Sequence, residues 1–184
     1  QMFDVAGLLC NRGYAVVASD YRLSVTTLGF KDSSFPAQSH DAKAAVRWVR
    51  ANAATHGLDP DAIGVWGASA GAHLAALLGT TSGGDEVEGV PSADAVSSKI
   101  HAVVDYFGPV HLPRLATENP SIAWILEDLL GGSIEGERLR LGELGSPELH
   151  VTSDSAPFLI VHGANDPVVP ATQSESMHAT LQAA

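Results

Sequence analysis

Positive charge is scarce in this chain: ten Lys and Arg stand against 21 Asp and Glu, a formal net charge of −11 over 184 residues. Nucleic-acid binding needs clustered Lys and Arg to displace counterions from phosphates, so this shortage argues against a nucleic-acid partner. A single cysteine, Cys10, excludes an internal disulfide framework. Set among Leu8, Leu9 and Tyr14, it reads as a buried structural thiol. No apolar run approaches the ~20 residues of a membrane span. Gln1-Met2-Phe3-Asp4 also lacks the basic-then-apolar order of a secretory leader, which leaves the compartment open. Cofactor and metal signatures are missing as well. No GxGxxG follows a strand, no HExxH occurs and no His/Cys zinc set is present, so neither cofactor nor metal is expected.

What is present is a chain 45% hydrophobic and 17% charged, long enough for one domain with a real core over residues 1–184. Residues 5–12 read as the end of a helix closed by Gly13. Nearly continuous apolar runs at 14–21, 63–67, 100–107 and 158–162 predict strands buried in a parallel sheet. Helices are predicted over 36–56, with an inward stripe of Ala42, Ala45, Val46, Val49 and Ala53, after Ser69, and over 171–183. Residues 22–35 and 80–98 read as loops, with Asp20 expected to fix the first of these by hydrogen bonds. Residues 110–155 form an insertion with a short helix at 122–130, either a cap-like cover over a pocket or a peripheral excursion. Strands alternating with helices mean an α/β fold, a parallel sheet with helices on both faces.

The organising stretch is Gly67-Ala68-Ser69-Ala70-Gly71, which fits G-x-S-x-G between a strand and an Ala/Leu-rich helix. A serine on so sharp a turn is held in a strained conformation. Gly67 and Gly71 are expected to make room for it. Ser69 is therefore the candidate nucleophile. The Ala70 N–H, at the positive end of the following helix, is the candidate oxyanion donor. In open α/β sheets ligands sit at the carboxyl ends of strands. Asp166 lies in the loop after the run at 158–162, where an acid could orient a catalytic histidine, and it follows Ser69 in the chain order Ser, Asp, His. Among the histidines, His73 is four residues along the helix from Ser69 and reads as structural or pocket wall. Packing is the default for His162. His40, His56, His101, His111, His150 and His178 lie on elements poorly placed for a base.

Several blocks carry a family resemblance: Ser19-Asp20-Tyr21-Arg22-Leu23-Ser24, Phe35-Pro36-Ala37-Gln38, Asp41 through Arg50, Gly57-Leu58-Asp59-Pro60-Asp61, Gly67 through Ala75, and Phe158 through Pro170. With these the chain resembles the α/β-hydrolase family of feruloyl-esterase-like carboxylesterases known as BD-FAE, near the hormone-sensitive-lipase group. The resemblance implies an α/β-hydrolase fold, Ser69 as nucleophile, Asp166 as triad acid and Ala70 as one oxyanion donor. Relatives place an oxyanion loop upstream of the first strand and the catalytic histidine downstream of the acid. The chain is thus expected to be an internal fragment, with a partial sheet lacking N-terminal strands and the histidine-bearing segment. The implied activity is a serine carboxylic-ester hydrolase working through an acyl-enzyme on a small-molecule ester: short acyl, acetyl-sugar or hydroxycinnamoyl. A peptidase or amide hydrolase, or a non-catalytic binding protein on the same fold, are the alternatives.

Overall fold

The computed structural model describes residues 2–24, 34–82, 86–90 and 96–184. Three short parallel strands form its sheet, β1 (Gly64–Ala68), β2 (Ala102–Tyr106) and β3 (Phe158–Val161), in spatial order β1-β2-β3. They lie where three of the four apolar runs place strands, with ends shifted by a residue or two. Their register aligns the carboxyl ends: Ala68 faces Tyr106, and Tyr106 faces Val161. The residues that follow each strand therefore meet along one edge.

The first helices are α1 (Met2–Cys10), α2 (Ala37–Asn52) and α3 (Ala70–Thr80). A 3-10 turn over Ala54–His56 extends α2, and Gly57 in the left-handed region (φ 66°) stops it. Val46 of α2 and Ala75 and Leu78 of α3 close over Ile100 and Val103, which covers one face of the sheet. Alternation sends Trp66, Val104, Tyr106, Leu159 and Val161 to the opposite face, where they stay half-exposed or exposed.

The regular elements of the insertion are all helical. It contains α4 (Leu112–Glu118), a turn over Pro120–Ile122, α5 (Ala123–Leu130), α6 (Glu137–Leu144) and a turn over Pro147–His150, and α7 (Thr172–Ala183) follows β3. Leu112, Leu115 and Leu126 bury one another, while Leu130 joins Phe35, Leu74 and Leu77. The insertion thus shares its core with α3. Among the described residues no helix is long and apolar enough to cross a membrane.

Four sequence expectations are corrected. Residues 14–21 form no strand, and Tyr14 and Val17 are 65% and 52% exposed. An apolar run can fill a ladder position only beside another strand, and none of the described strands pairs with this one. Cys10 is exposed rather than buried, because this neighbouring segment lies open beside it. The segment after α3 is not simply a solvated loop. Val87 is fully buried, and Glu88 bonds Lys43 Nζ at 2.8 Å, Arg47 and Ser98 Oγ, so two cations of α2 outside the apolar stripe are also buried. Finally, among the described residues the start of the loop at 22–35 is tied by Arg22, which forks onto the Asp41 carboxylate, with no bond there from the side chain of Asp20; residues 25–33, where the rest of that expectation falls, lie outside the described residues.

Candidate active site

Ser69 sits between β1 and α3 with φ 53° and ψ −121°, a backbone conformation that L-residues avoid. Two bonds hold it there. Its N–H donates to Tyr106 O at 2.9 Å, continuing the β1–β2 ladder, and its carbonyl accepts His73 N–H at 3.0 Å, starting α3. The side chain is exposed at the carboxyl edge of the sheet. Ala70 is the first residue of α3, and N–H groups of a first turn have no partner inside their helix. The two glycines of the motif are not equivalent. A Cβ on Gly67 would lie 2.2 Å from Gly71 O and 2.5 Å from Ala72 N, so β1 and α3 can approach only over a glycine. A Cβ on Gly71 meets nothing within 4 Å among the described residues, which corrects the expectation that both glycines clear space for Ser69.

Asp166 lies in the loop past β3, a strand that runs two strand spacings, about 10 Å, from β1. Its Oδ1 accepts the N–H groups of Val168 and Val169 at 2.8 and 2.9 Å, which folds the loop around the carboxylate. Oδ2 is left for another partner. The nearest cation-capable group is His162 Nε2 at 3.7 Å.

Six of the eight histidines bond neighbouring groups of the fold. His73 is buried with Nε2 2.6 Å from Gly145 O, and burial pushes its pKa down, so the ring stays neutral. His162 spends both nitrogens. Nε2 lies 2.8 Å from Val169 O, and because a carbonyl only accepts, that nitrogen carries the proton; Nδ1 then takes the Ser174 hydroxyl at 2.6 Å. His40 bonds Glu86 O, His101 accepts from Ile63 N, His111 caps α4, and His150 bonds Leu144 O. Among the described residues no histidine hydrogen-bonds Ser69. Nor do any three His, Cys, Asp or Glu residues there form a cluster fit for a metal.

Three further residues shape this edge. Phe107, directly after β2, also has a positive φ (48°), and its ring meets His162 edge-on at 6.4 Å. Asp105 is fully buried beneath the elbow. Its Oδ1 accepts Gly108 N–H at 2.8 Å and its Oδ2 has no partner among the described residues. Burial pushes this carboxyl up to about 6, against the pull of the Gly108 N–H and of His162. Asn119, at the end of α4, donates to Pro167 O at 3.1 Å and Val168 O at 2.9 Å. A lone carboxylate inside an apolar run marks Asp105 in the sequence. Phe107 and Asn119 carry no such signal.

The BD-FAE family profile matches residues 2–181. Esterase LipQ of Mycobacterium tuberculosis (strain ATCC 25618 / H37Rv) is 34% identical over 149 residues, 81% of this chain and 35% of that protein. A truncated carbohydrate esterase from gut microbiota is 33% identical with a TM-score of 0.76, over 90% of this chain and 60% of that one. Thermogutta terrifontis esterase 2, phosphoramylated by tabun, is 27% identical with a TM-score of 0.76, over 98% and 60%. The chain thus spans about a third of the length of the first of these. The family match over residues 2–181, on a parallel sheet with the Gly-x-Ser-x-Gly elbow at its edge, makes this chain a member of the BD-FAE family.

Proposed function

We propose that this chain carries the nucleophile and acid of a serine carboxylic-ester hydrolase that works through an acyl-enzyme. The observation that carries the reading is the strained, exposed Ser69 at the amino end of α3, on the same sheet edge as a half-buried Asp166 whose Oδ2 is uncommitted to the backbone. A histidine seated between them takes the Ser69 proton as Oγ adds to the ester carbonyl. The new C–O bond puts negative charge on the carbonyl oxygen, where the Ala70 N–H and the positive end of α3 stabilise it. Collapse breaks the bond to the alcohol, which leaves with the histidine's proton. Water then repeats the sequence to release the acid and Ser69. Asp166 holds the imidazole in the required tautomer and balances its charge.

Short acyl esters, acetylated sugars and hydroxycinnamoyl esters are the proposed substrates. A carbohydrate esterase among the similar structures supports the sugar-ester class. The esterase captured with tabun supports the serine mechanism, since organophosphates of that kind esterify an activated nucleophile. The test is p-nitrophenyl acetate hydrolysis by the protein encoded in the complete open reading frame, beside Ser69→Ala and Asp166→Asn. Loss of turnover in Ser69→Ala and a fall of about 10⁴ in kcat for Asp166→Asn, the size seen when a serine-protease triad acid is amidated, are expected. Turnover retained in Ser69→Ala overturns the reading, and a matched anilide cleaved as fast as the ester assigns the site to amide hydrolysis.

A further inference from the structure

The loop that carries Asp166 is held from outside at three successive carbonyls. Asn119 Nδ2, at the end of α4, donates to Pro167 O at 3.1 Å and to Val168 O at 2.9 Å. His162 Nε2 donates to the next carbonyl, Val169 O, at 2.8 Å. Each clamp is itself fixed. Asn119 Oδ1 accepts the Ser121 hydroxyl at 2.6 Å, which sets the amide so that its NH₂ faces the loop. His162 Nδ1 is engaged by Ser174 Oγ at 2.6 Å, and the Phe107 ring stands edge-on against the imidazole. From within, Asp166 Oδ1 accepts the N–H groups of Val168 and Val169. The peptide groups 167–168 and 168–169 are therefore bound on both their donor and acceptor sides, and the one carboxylate oxygen outside this lattice is Oδ2. Two side chains from different elements thus spend their N–H donors on a single turn. Among the described residues neither hydrogen-bonds Ser69.

The geometry points to Asn119 and His162 as positioning residues that aim Asp166 Oδ2 at the histidine bridging to Ser69. This assignment rests on the reading of Asp166 as the triad acid. Misplacing a reacting group by about 1 Å costs on the order of 10²-fold in rate, so a loop that relaxes when one clamp is cut lowers kcat without weakening ester binding. Because both residues act through Asp166, their effect vanishes once Asp166 can no longer serve. Simple structural damage remains whatever stands at 166.

The experiment is a double-mutant cycle on p-nitrophenyl acetate with the protein of the complete open reading frame: Asn119→Ala, Asp166→Asn and the pair. Asn119 is only partly buried at a helix end, so its truncation leaves the fold standing, which a thermal melt verifies. Expected is a 10- to 100-fold fall in kcat for Asn119→Ala at unchanged KM, shrinking to less than about 2-fold in the Asp166→Asn background. His162→Gln, which can still present an N–H toward Val169 O, is expected to retain more than about a third of kcat, whereas His162→Leu loses it as Asn119→Ala does. An Asn119→Ala enzyme within about 3-fold of wild type, or one equally impaired in both backgrounds, overturns the assignment. If Asp166→Asn itself leaves activity intact, the triad reading is what fails, and the two failures are separately visible.

Discussion

Exchanging the two glycines of the elbow for alanine, one at a time, should give opposite results. At Gly67 the added Cβ would stand 2.2 Å from Gly71 O, 2.3 Å from Gly71 C and 2.5 Å from Ala72 N. All three are backbone atoms of the first turn of α3, so no rotamer change relieves the overlap. Reaching ordinary contact means moving that turn by about 1 Å from β1, an overpacking expected to cost about 3 kcal/mol. The same movement displaces Ser69 and the Ala70 N–H together, so kcat should fall at least 10²-fold. At Gly71 no described atom lies within 4 Å of the new methyl, and the site is helical; alanine there should be neutral or stabilising by up to about 1 kcal/mol. Trp66, adjacent in β1, reports unfolding in urea. With a denaturant slope near 2 kcal/mol per M, Gly67→Ala should lower the midpoint by about 1.5 M while Gly71→Ala holds or raises it. Equal shifts, or greater damage at Gly71, would refute the packing argument.

The buried charges supply two further expectations. Asp105 has a carboxyl raised by burial from 3.8 to about 6, so its protonated form favours the fold; that contribution is whole below 3.8 and lost as pH rises through 6. Relative to Asp105→Asn, wild type should gain about 1.5 kcal/mol on going from pH 8 to pH 5, and melts showing no such divergence contradict the burial account. Burial alone pushes the Glu88 carboxyl up, but bonds from Lys43 and Ser98 and the charges of Lys43 and Arg47 bring it below its usual 4.5. Its stabilisation is therefore present above 4.5 and lost as pH falls below that value. Glu88→Gln leaves two buried cations unbalanced and should cost about 3 kcal/mol at pH 7, read by urea unfolding; a loss under about 1 kcal/mol would show that solvent already screens them.

What could be read from the sequence was local. Strand, tight turn and helix around Ser69 follow one another within a few residues, and each is specified by its own pattern: apolar run, Gly-x-Ser-x-Gly, Ala/Leu helix. Asp166 was legible for the same reason, as an acid in the turn that ends an apolar run. The strand expected at 14–21 failed because a strand is a relation between two segments, and only one of them is visible in a run of apolar residues. Lys43 and Arg47 look like the solvent face of α2 until Glu88, from a segment more than 40 positions away, is brought against them. His162 was legible only as a packing residue, and Asn119 carried no signal. Both bond carbonyl oxygens, which every residue has, so side-chain identity alone could not select the partners.

The central claim, that Ser69 is an activated nucleophile, is tested most directly by covalent capture. The protein of the complete open reading frame is treated with paraoxon and digested, and the peptides are weighed, beside the Ser69→Ala variant. The account predicts one diethylphosphoryl group per chain, on Ser69 Oγ, and none on the variant. A label on another residue, or equal labelling of Ser69→Ala, would contradict it.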